Sequence, residues 1–351
     1  MVDRSWIASA FPRNDESGIA AVFIGLWIVV LIGFGAYALD TSRIYNEHSE
    51  LQNGADAAAL AVARDCAMGA CDGFFDAVGM AEDYSDANMR DGSSFVEDVV
   101  VDLVDNTVEV KVATEDTPGD NTFDMVLAQV IGYNGLTVRA DAEVGWGPPG
   151  AIKTLPLIFS LCEWEDFGYA GYVDEHPDGF LHRASSIDKG FAPYKSKYLT
   201  ILFHGTDTCH SGPSGQDLPG GFGWLESTTG YCEAFVAVGK WMDLDPGSSP
   251  TTECSPLDLQ DLVGEIVGIP YFDKTTANGA GGQYCVFGIG AFYVTGYNFA
   301  GHYKQNSIIT GKSVCKGEVR CIEGYMIGDY VLPASGIGGP DLGVVALEMR
   351  N

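Results

Sequence analysis

The chain has 351 residues, with 19 Lys and Arg against 48 Asp and Glu, for a formal net charge of -29. So few cations exclude nucleic acid as a partner, because phosphate contacts need clustered Lys and Arg; anionic headgroups are disfavoured for the same reason. The length allows an anchor and two further domains.

Residues 1–17 read as a short cytoplasmic tail, with Pro12 and the polar cluster Asn14 to Ser17 ending any helix there. From Ser17 to Leu39 there is no charge, and a helix of that length spans roughly 30 Å, the thickness of a bilayer core. Beyond Leu39 the pattern turns amphipathic without a break: Ile44, Leu51, Ala55, Ala58 and Val62 form one helical stripe. Residues 18–68 are therefore expected to be one long transmembrane helix continuing into a stalk. Gly54 is its weak point, costing about 1 kcal/mol relative to alanine. The competing reading is a signal peptide cleaved after Ala38. The uncharged run exceeds the ~7–15 apolar residues of such a peptide, and Asp15 and Glu16 do not suit its leading segment. Arg4 and Arg13 precede the span and only Arg43 closely follows it, placing the N-terminus in the cytoplasm and the rest outside the cell membrane.

Gly18 before the apolar run, Asp40, Arg43 and Tyr45 just after it, then Leu51, Gln52, Ala55, Asp56, Ala58 and Leu60, occur in an order and spacing that resemble the N-terminal module of TadE/TadG-like proteins of tight-adherence (Flp) pilus systems. The runs Leu155-Pro156-Leu157, Cys162-Glu163-Trp164 and Gly221 to Leu225 look like the long actinobacterial-type branch. The resemblance implies a non-catalytic structural or accessory protein of pilus assembly or display, held in the membrane. Its partners would be other Tad/Flp assembly proteins, reached through the N-terminal helix. Pilins of these systems carry Glu five positions into the processed helix; cleavage after Gly18 would put Phe23 there, so the resemblance favours an uncleaved accessory protein. Along the helix, Ala55, Ala57 to Ala59, Ala61 and Ala63, with Gly25, Gly33 and Gly35 in the apolar half, offer a smooth face for partner helices.

Residues 69–147 read as a small α/β module with a pilin-like order of elements. A second helix should carry Phe74, Phe75, Val78, Ala81 and Tyr84. Two valine-rich strands, Val96 to Val104 and Val108 to Ala113, should turn at Asp105-Asn106. A helix from Phe123 to Ile131 and a strand from Leu136 to Trp146 complete it. Between Gly54 and Gly150 there are 19 acidic and 4 basic residues, so this module carries much of the acidity.

Gly147-Pro148-Pro149-Gly150 marks the clearest boundary. Residues 148–351 should form an extracellular β-rich sandwich or open barrel. Its strands are expected at 155–161, 198–204, 232–241, 265–272, 284–297, 319–331 and 343–349, with a short helix at 257–263. The class is α+β. Trp224, Tyr231, Trp241, Tyr271 and Phe299, on or near glycine-rich loops, suggest an alternative role as a surface carbohydrate- or protein-binding module.

No catalytic set, metal site or cofactor is implied. Asp40-Thr41-Ser42-Arg43-Ile44 departs from the D-x-S-x-S metal motif at Ile44. His204, Cys209 and His210 lack further ligands, and the six histidines have no G-x-S-x-G partner. Asp243/Asp245 and Asp174/Glu175/Asp178 lack the full calcium-loop pattern and read as acidic turns. Asp40 and Arg43, with Glu47 one turn on, can pair along the helix surface. The nine cysteines all follow the span and fit an extracellular disulfide framework. Cys66 is expected to pair with Cys71 across Gly69, and Cys315 with Cys321 across Lys316-Gly317. Cys285, in an apolar strand, is expected to be the free thiol. The other four can pair in three ways, of which Cys162–Cys209 with Cys232–Cys254 is preferred.

Overall fold

The computed structural model describes residues 17–71, 76–115, 121–125, 135–165, 199–203, 205, 208–209, 214, 216–247, 249–276 and 282–350. Its first element is one unbroken helix, α1, Ser17–Ala67. The helix ends where Gly69 takes φ 76°, with Gly69 N–H donating to the Cys66 carbonyl and Ala70 N–H to that of Asp65, each at 2.9 Å. This pair of bonds is the Schellman arrangement, and Cys66 is bonded to Cys71 across it.

The second helix, α2, runs from Ala77 to Asp86, and the Asp76 carboxylate caps it by accepting from Gly79 N–H at 2.9 Å. Phe74 and Phe75, expected on this helix, lie outside the described residues. Strands β1 (Ser94–Asp102) and β2 (Thr107–Thr114) form an antiparallel hairpin with a bulge between Val96 and Asp98. Its turn is built by Asn106 at φ 53° and by the Asp102 carboxylate, which accepts from the N–H groups of Val104 and Asp105.

The expected helix from Phe123 to Ile131 is corrected at its start. Phe123–Asp124 (β3) is a two-residue strand paired with Gly135–Leu136 (β4); 126–134 lie outside the described residues. The cross-strand pair Phe123–Leu136 outweighs the weak helical spacing of this stretch. β5 (Arg139–Gly147) then lies along β2.

The rest of the chain is β-rich. In order come β6 (Ala151–Thr154), β7 (Leu157–Ser160), the short helix α3 (Leu161–Glu165), β8 (Leu199–Leu202), β9 (Thr208–Cys209), β10 (Leu218–Pro219) and β11 (Phe222–Leu225). β12 (Ala234–Ala237) and β13 (Trp241–Asp245) follow, then α4 (Pro256–Gln260), β14 (Ile266–Thr275), β15 (Gln283–Ala300) and β16 (Tyr303–Gln305). Last are β17 (Cys321–Ile327), β18 (Tyr330–Val331) and β19 (Val344–Arg350). The strand expected over 232–241 is two strands, because Gly239 turns the chain at φ 78°.

The main sheet runs β13-β11-β7-β14-β15-β17-β8, and β13 also pairs with β15, so the path curls back on itself as a half-barrel. An edge-to-face aromatic chain fills it: Phe159 against Tyr271 and Phe292, Phe222 against Trp224, and Trp224 against Phe299, with ring centroids 4.9 to 6.0 Å apart.

The expected membership of the last strand is also corrected. β19 pairs with β5, and the first sheet reads β1-β2-β5-β19-β18. The β-rich region is thus inserted between two neighbouring strands of the helix-bearing module. Val345 and Leu347 pack on the module's core while Val344 belongs to the core of the half-barrel. An alternating apolar strand carries no mark of which sheet it will join, which is why the spacing alone assigned it to its sequence neighbours. The two crossings of the boundary are laced together. Gly150 N–H donates to the Gly336 carbonyl at 2.9 Å and Ser335 N–H to that of Ala151 at 2.8 Å, and Pro149 bridges Ile337.

Candidate functional site

The two halves of α1 meet different surroundings. From Val22 to Leu39 the large apolar side chains are exposed, Trp27 at 63% and Phe34 at 69% among them. The helix from Ala21 onward is long and apolar enough to cross a membrane, and none of its most apolar window is buried within the protein. Among the residues of α1 whose burial is described, Asp40 is the first that is buried. Beyond it Leu51, Ala55, Ala58, Ala59, Val62 and Ala63 are fully buried, in one cluster with Val108, Val110 and Val112 of β2 and Ala140, Ala142 and Val144 of β5. This second half is not a free stalk; it is the core helix of the module. Its alanine face, expected to receive partner helices, is taken by the chain's own sheet. Small residues on both surfaces let helix and sheet approach closely, which satisfies the same pattern without a second protein.

Most residues of the family-like motif act in that packing. Leu51, Ala55 and Ala58 are buried, and Leu60 sits on the flank. Gln52 Nε2 donates to Asp56 Oδ1 and to the Asp141 carbonyl, both at 2.9 Å, so Gln52 and Asp56 fix the helix to β5. At the membrane edge the Arg43 guanidinium lies over the Phe123 ring, 5.1 Å from its centre. Tyr45 is exposed, and Gly18 lies in the first turn of α1.

Gly54 proves to be a contact residue. A Cβ there would come 2.8 Å from Ser85 Oγ and 3.3 Å from the Ser85 carbonyl oxygen, so glycine lets α2 cross α1. Ser85 and Ser94 hydroxyls are 2.7 Å apart, and Ser94 Oγ donates to Asp86 Oδ1 at 2.7 Å. Glu50 holds the far end of α2 through Arg90, at 3.2 Å. The signal was available as a glycine inside an otherwise strong helical pattern.

Elsewhere the candidates disperse. Asp243 accepts from Gln283 Nε2 and Asp245 from Gly247 N–H, as turn and ladder groups. Cys232 is bonded to Cys254 and Cys315 to Cys321. Cys162 is disulfide-bonded, and the side chain of Cys209, its expected partner, lies outside the described residues. Cys285 is buried and free, and burial, with Asp273 nearby, pushes its thiol pKa up. Among the described residues no group of three or more His, Cys, Asp and Glu could hold a metal. His48 and His302 are exposed, while His176, His182, His204, His210 and Asp174/Glu175/Asp178 lie outside the described residues. Of the aromatics proposed to face a ligand, Trp224, Tyr271 and Phe299 are core residues; Tyr231 and Trp241 remain exposed.

The segment that unites the apolar half and the module matches a family model. Residues 18–65 match the Tad family model, that of Flp pilus-assembly TadE/G-like proteins. No curated protein and no solved structure matches the chain. The matched TadE/G-like segment coincides with α1 almost end to end, covering both the exposed apolar half and the half that packs on the sheet. Match and helix together support a membrane-anchored, pilus-related protein.

Proposed function

We propose that the chain is a single-pass structural or accessory protein of Tad/Flp pilus assembly or display, without catalysis, that meets other assembly proteins within the membrane. The observation that carries this reading is the unbroken α1, which holds a bilayer-length apolar half and a module-forming half in one TadE/G-like segment. Because the alanine face is occupied, helix partners are assigned to the apolar half, where Gly25, Gly33 and Gly35 leave open space around the backbone.

Residues 1–17 lie in the cytoplasm on this reading, and the module with its inserted half-barrel lies outside. The disulfides support that side, since such bonds persist in oxidising surroundings. The module comprises 40–147 with 344–350, and the inserted domain lies between them. A deletion strain scored for pili by electron microscopy, and complemented with the full chain, tests the role; normal piliation in the deletion overturns it. Alkaline carbonate should leave the protein in membranes, with residues ahead of Gly18 retained. A mature chain starting at Leu39 would instead establish signal-peptidase cleavage.

A further inference from the structure

The module has no room to stand away from the bilayer. The exposed apolar run ends at Leu39, Asp40 is already buried, and Ile44 packs on the module's core, so no spacer separates the span from the folded body. At that level, Arg43 is the sole Lys or Arg between Ser17 and Gly54. It is exposed, and it is carried over the Phe123 ring at 5.1 Å, which joins the helix to the β3–β4 pair. Tyr37, six residues before Arg43, and Tyr45, two residues after it, are 72% and 74% exposed and project from the side of the helix turned away from Arg43. An exposed guanidinium over one aromatic ring, with two exposed tyrosines on the other side of the same helix, has the chemistry of the headgroup layer at the end of a bilayer-length span. The rings suit the interface, and a planar fork of N–H donors suits a phosphate.

We infer that Arg43, Phe123, Tyr37 and Tyr45 form a collar that seats the module directly on a phospholipid surface, with Arg43 on the headgroup phosphate. This rests on the reading of the apolar half of α1 as a membrane span. The partner is a zwitterionic phospholipid: Asp40, Glu47 and Glu50 lie within two turns of Arg43, and the chain's charge of -29 repels an anionic surface. The collar fixes the height and tilt of the module, and α1 carries that geometry without a joint to the far end of the sheet.

The test uses the full chain in phosphatidylcholine nanodiscs doped with a nitroxide on the headgroup or deep in the acyl chain. The fluorescence of a Phe123→Trp variant is read as a difference from the unsubstituted protein. Trp27, read as its difference from Trp27→Phe, reports the span. Quenching of Trp27 by the deep label, with quenching at position 123 by the headgroup label, supports the collar. Adding Arg43→Gln should remove at least half of the quenching at 123, and replacing part of the lipid by phosphatidylglycerol should not increase it. Tyr45→Trp, at an exposed position, gives the same reading should Phe123→Trp fail to fold. Trp27 quenched while neither 123 nor 45 responds overturns the collar and leaves the span intact. Trp27 untouched by the deep label overturns the span and the collar together. Unchanged quenching in Arg43→Gln, or stronger quenching with phosphatidylglycerol, overturns the assignment to a zwitterionic phosphate.

Discussion

The two halves of α1 are one helix with two solvents. The first half exposes Val22 to Leu39 all round; the second buries a stripe from Leu51 to Ala63 and shows its other side to water. Nothing in the backbone distinguishes them. Side-chain pattern alone does: an uncharged, all-round apolar run needs lipid, whereas apolar residues at every third or fourth position need a single packed face. Leucine can therefore do two different jobs, at Leu31 and at Leu51, on one helix.

Exchanging side chains between the halves tests this most strongly. Leu51→Ala should destabilise the module by about 2–5 kcal/mol, because Leu51 is fully buried in the core cluster that includes β2 and β5. Hydrogen exchange of those strands in the detergent-solubilised chain should accelerate accordingly. Leu31→Ala, at a position 64% exposed, should leave that exchange unchanged. Val29→Arg should do the reverse: near the centre of a span an arginine costs about 2.5–3.5 kcal/mol, so carbonate should extract more protein while the module stays folded. Equal effects of Leu51→Ala and Leu31→Ala on the module would collapse the distinction between the halves.

Within the buried half, helix propensity and packing disagree at Gly54. Propensity alone makes Gly54→Ala a gain of about 1 kcal/mol. The structure reverses the sign. The new methyl group meets Ser85, which is fully buried and hydrogen-bonded to Ser94, so α2 must shift. Overpacking of this kind costs about 1–3 kcal/mol. Urea denaturation should show a lower midpoint for Gly54→Ala; a higher midpoint would mean that α2 yields freely.

Gly54 also shows where the sequence stops being legible. The helix, its membrane half and the amphipathic stripe could be read because each depends on residues within a few turns of each other. The β1–β2 hairpin could be read for the same reason, from alternating valines around Asp105-Asn106. What the stripe packs against could not. Alanines at helical spacing fit a partner helix or the chain's own sheet equally well, and only the positions of Ala140 and Ala142 on β5 decide it. Likewise β19 shows the period of a strand but no address. Its pairing with β5 joins residues 199 to 207 positions apart, from Ala346↔Gly147 to Arg350↔Glu143, and no local preference encodes that. At the site, Arg43 and Tyr45 were visible as motif residues, but the Phe123 ring under Arg43 was hidden by a helical reading of its own segment.

The module and the inserted half-barrel differ in how they hold tyrosine. Tyr37, Tyr45 and Tyr84, on the helices, are exposed. Tyr271, Tyr284 and Tyr297, in the half-barrel, are buried, and burial raises the pKa of each. Tyr297 is pushed up to about 12, with its ring stacked on Phe299 at 4.8 Å. A phenol whose folded pKa lies above its unfolded value of about 10 contributes stability that is fully present below pH 10 and is lost as pH rises towards 12. Alkaline unfolding should therefore begin in the half-barrel. Near-UV circular dichroism of its packed aromatics should fade above pH 10, while the far-UV helical signal of α1 persists. Tyr297→Phe removes one of these phenols and keeps the stacked ring, so it should move the near-UV transition to higher pH by a few tenths of a unit. A transition that starts in the helical signal, or that Tyr297→Phe leaves in place, would put the alkaline weak point in the module instead.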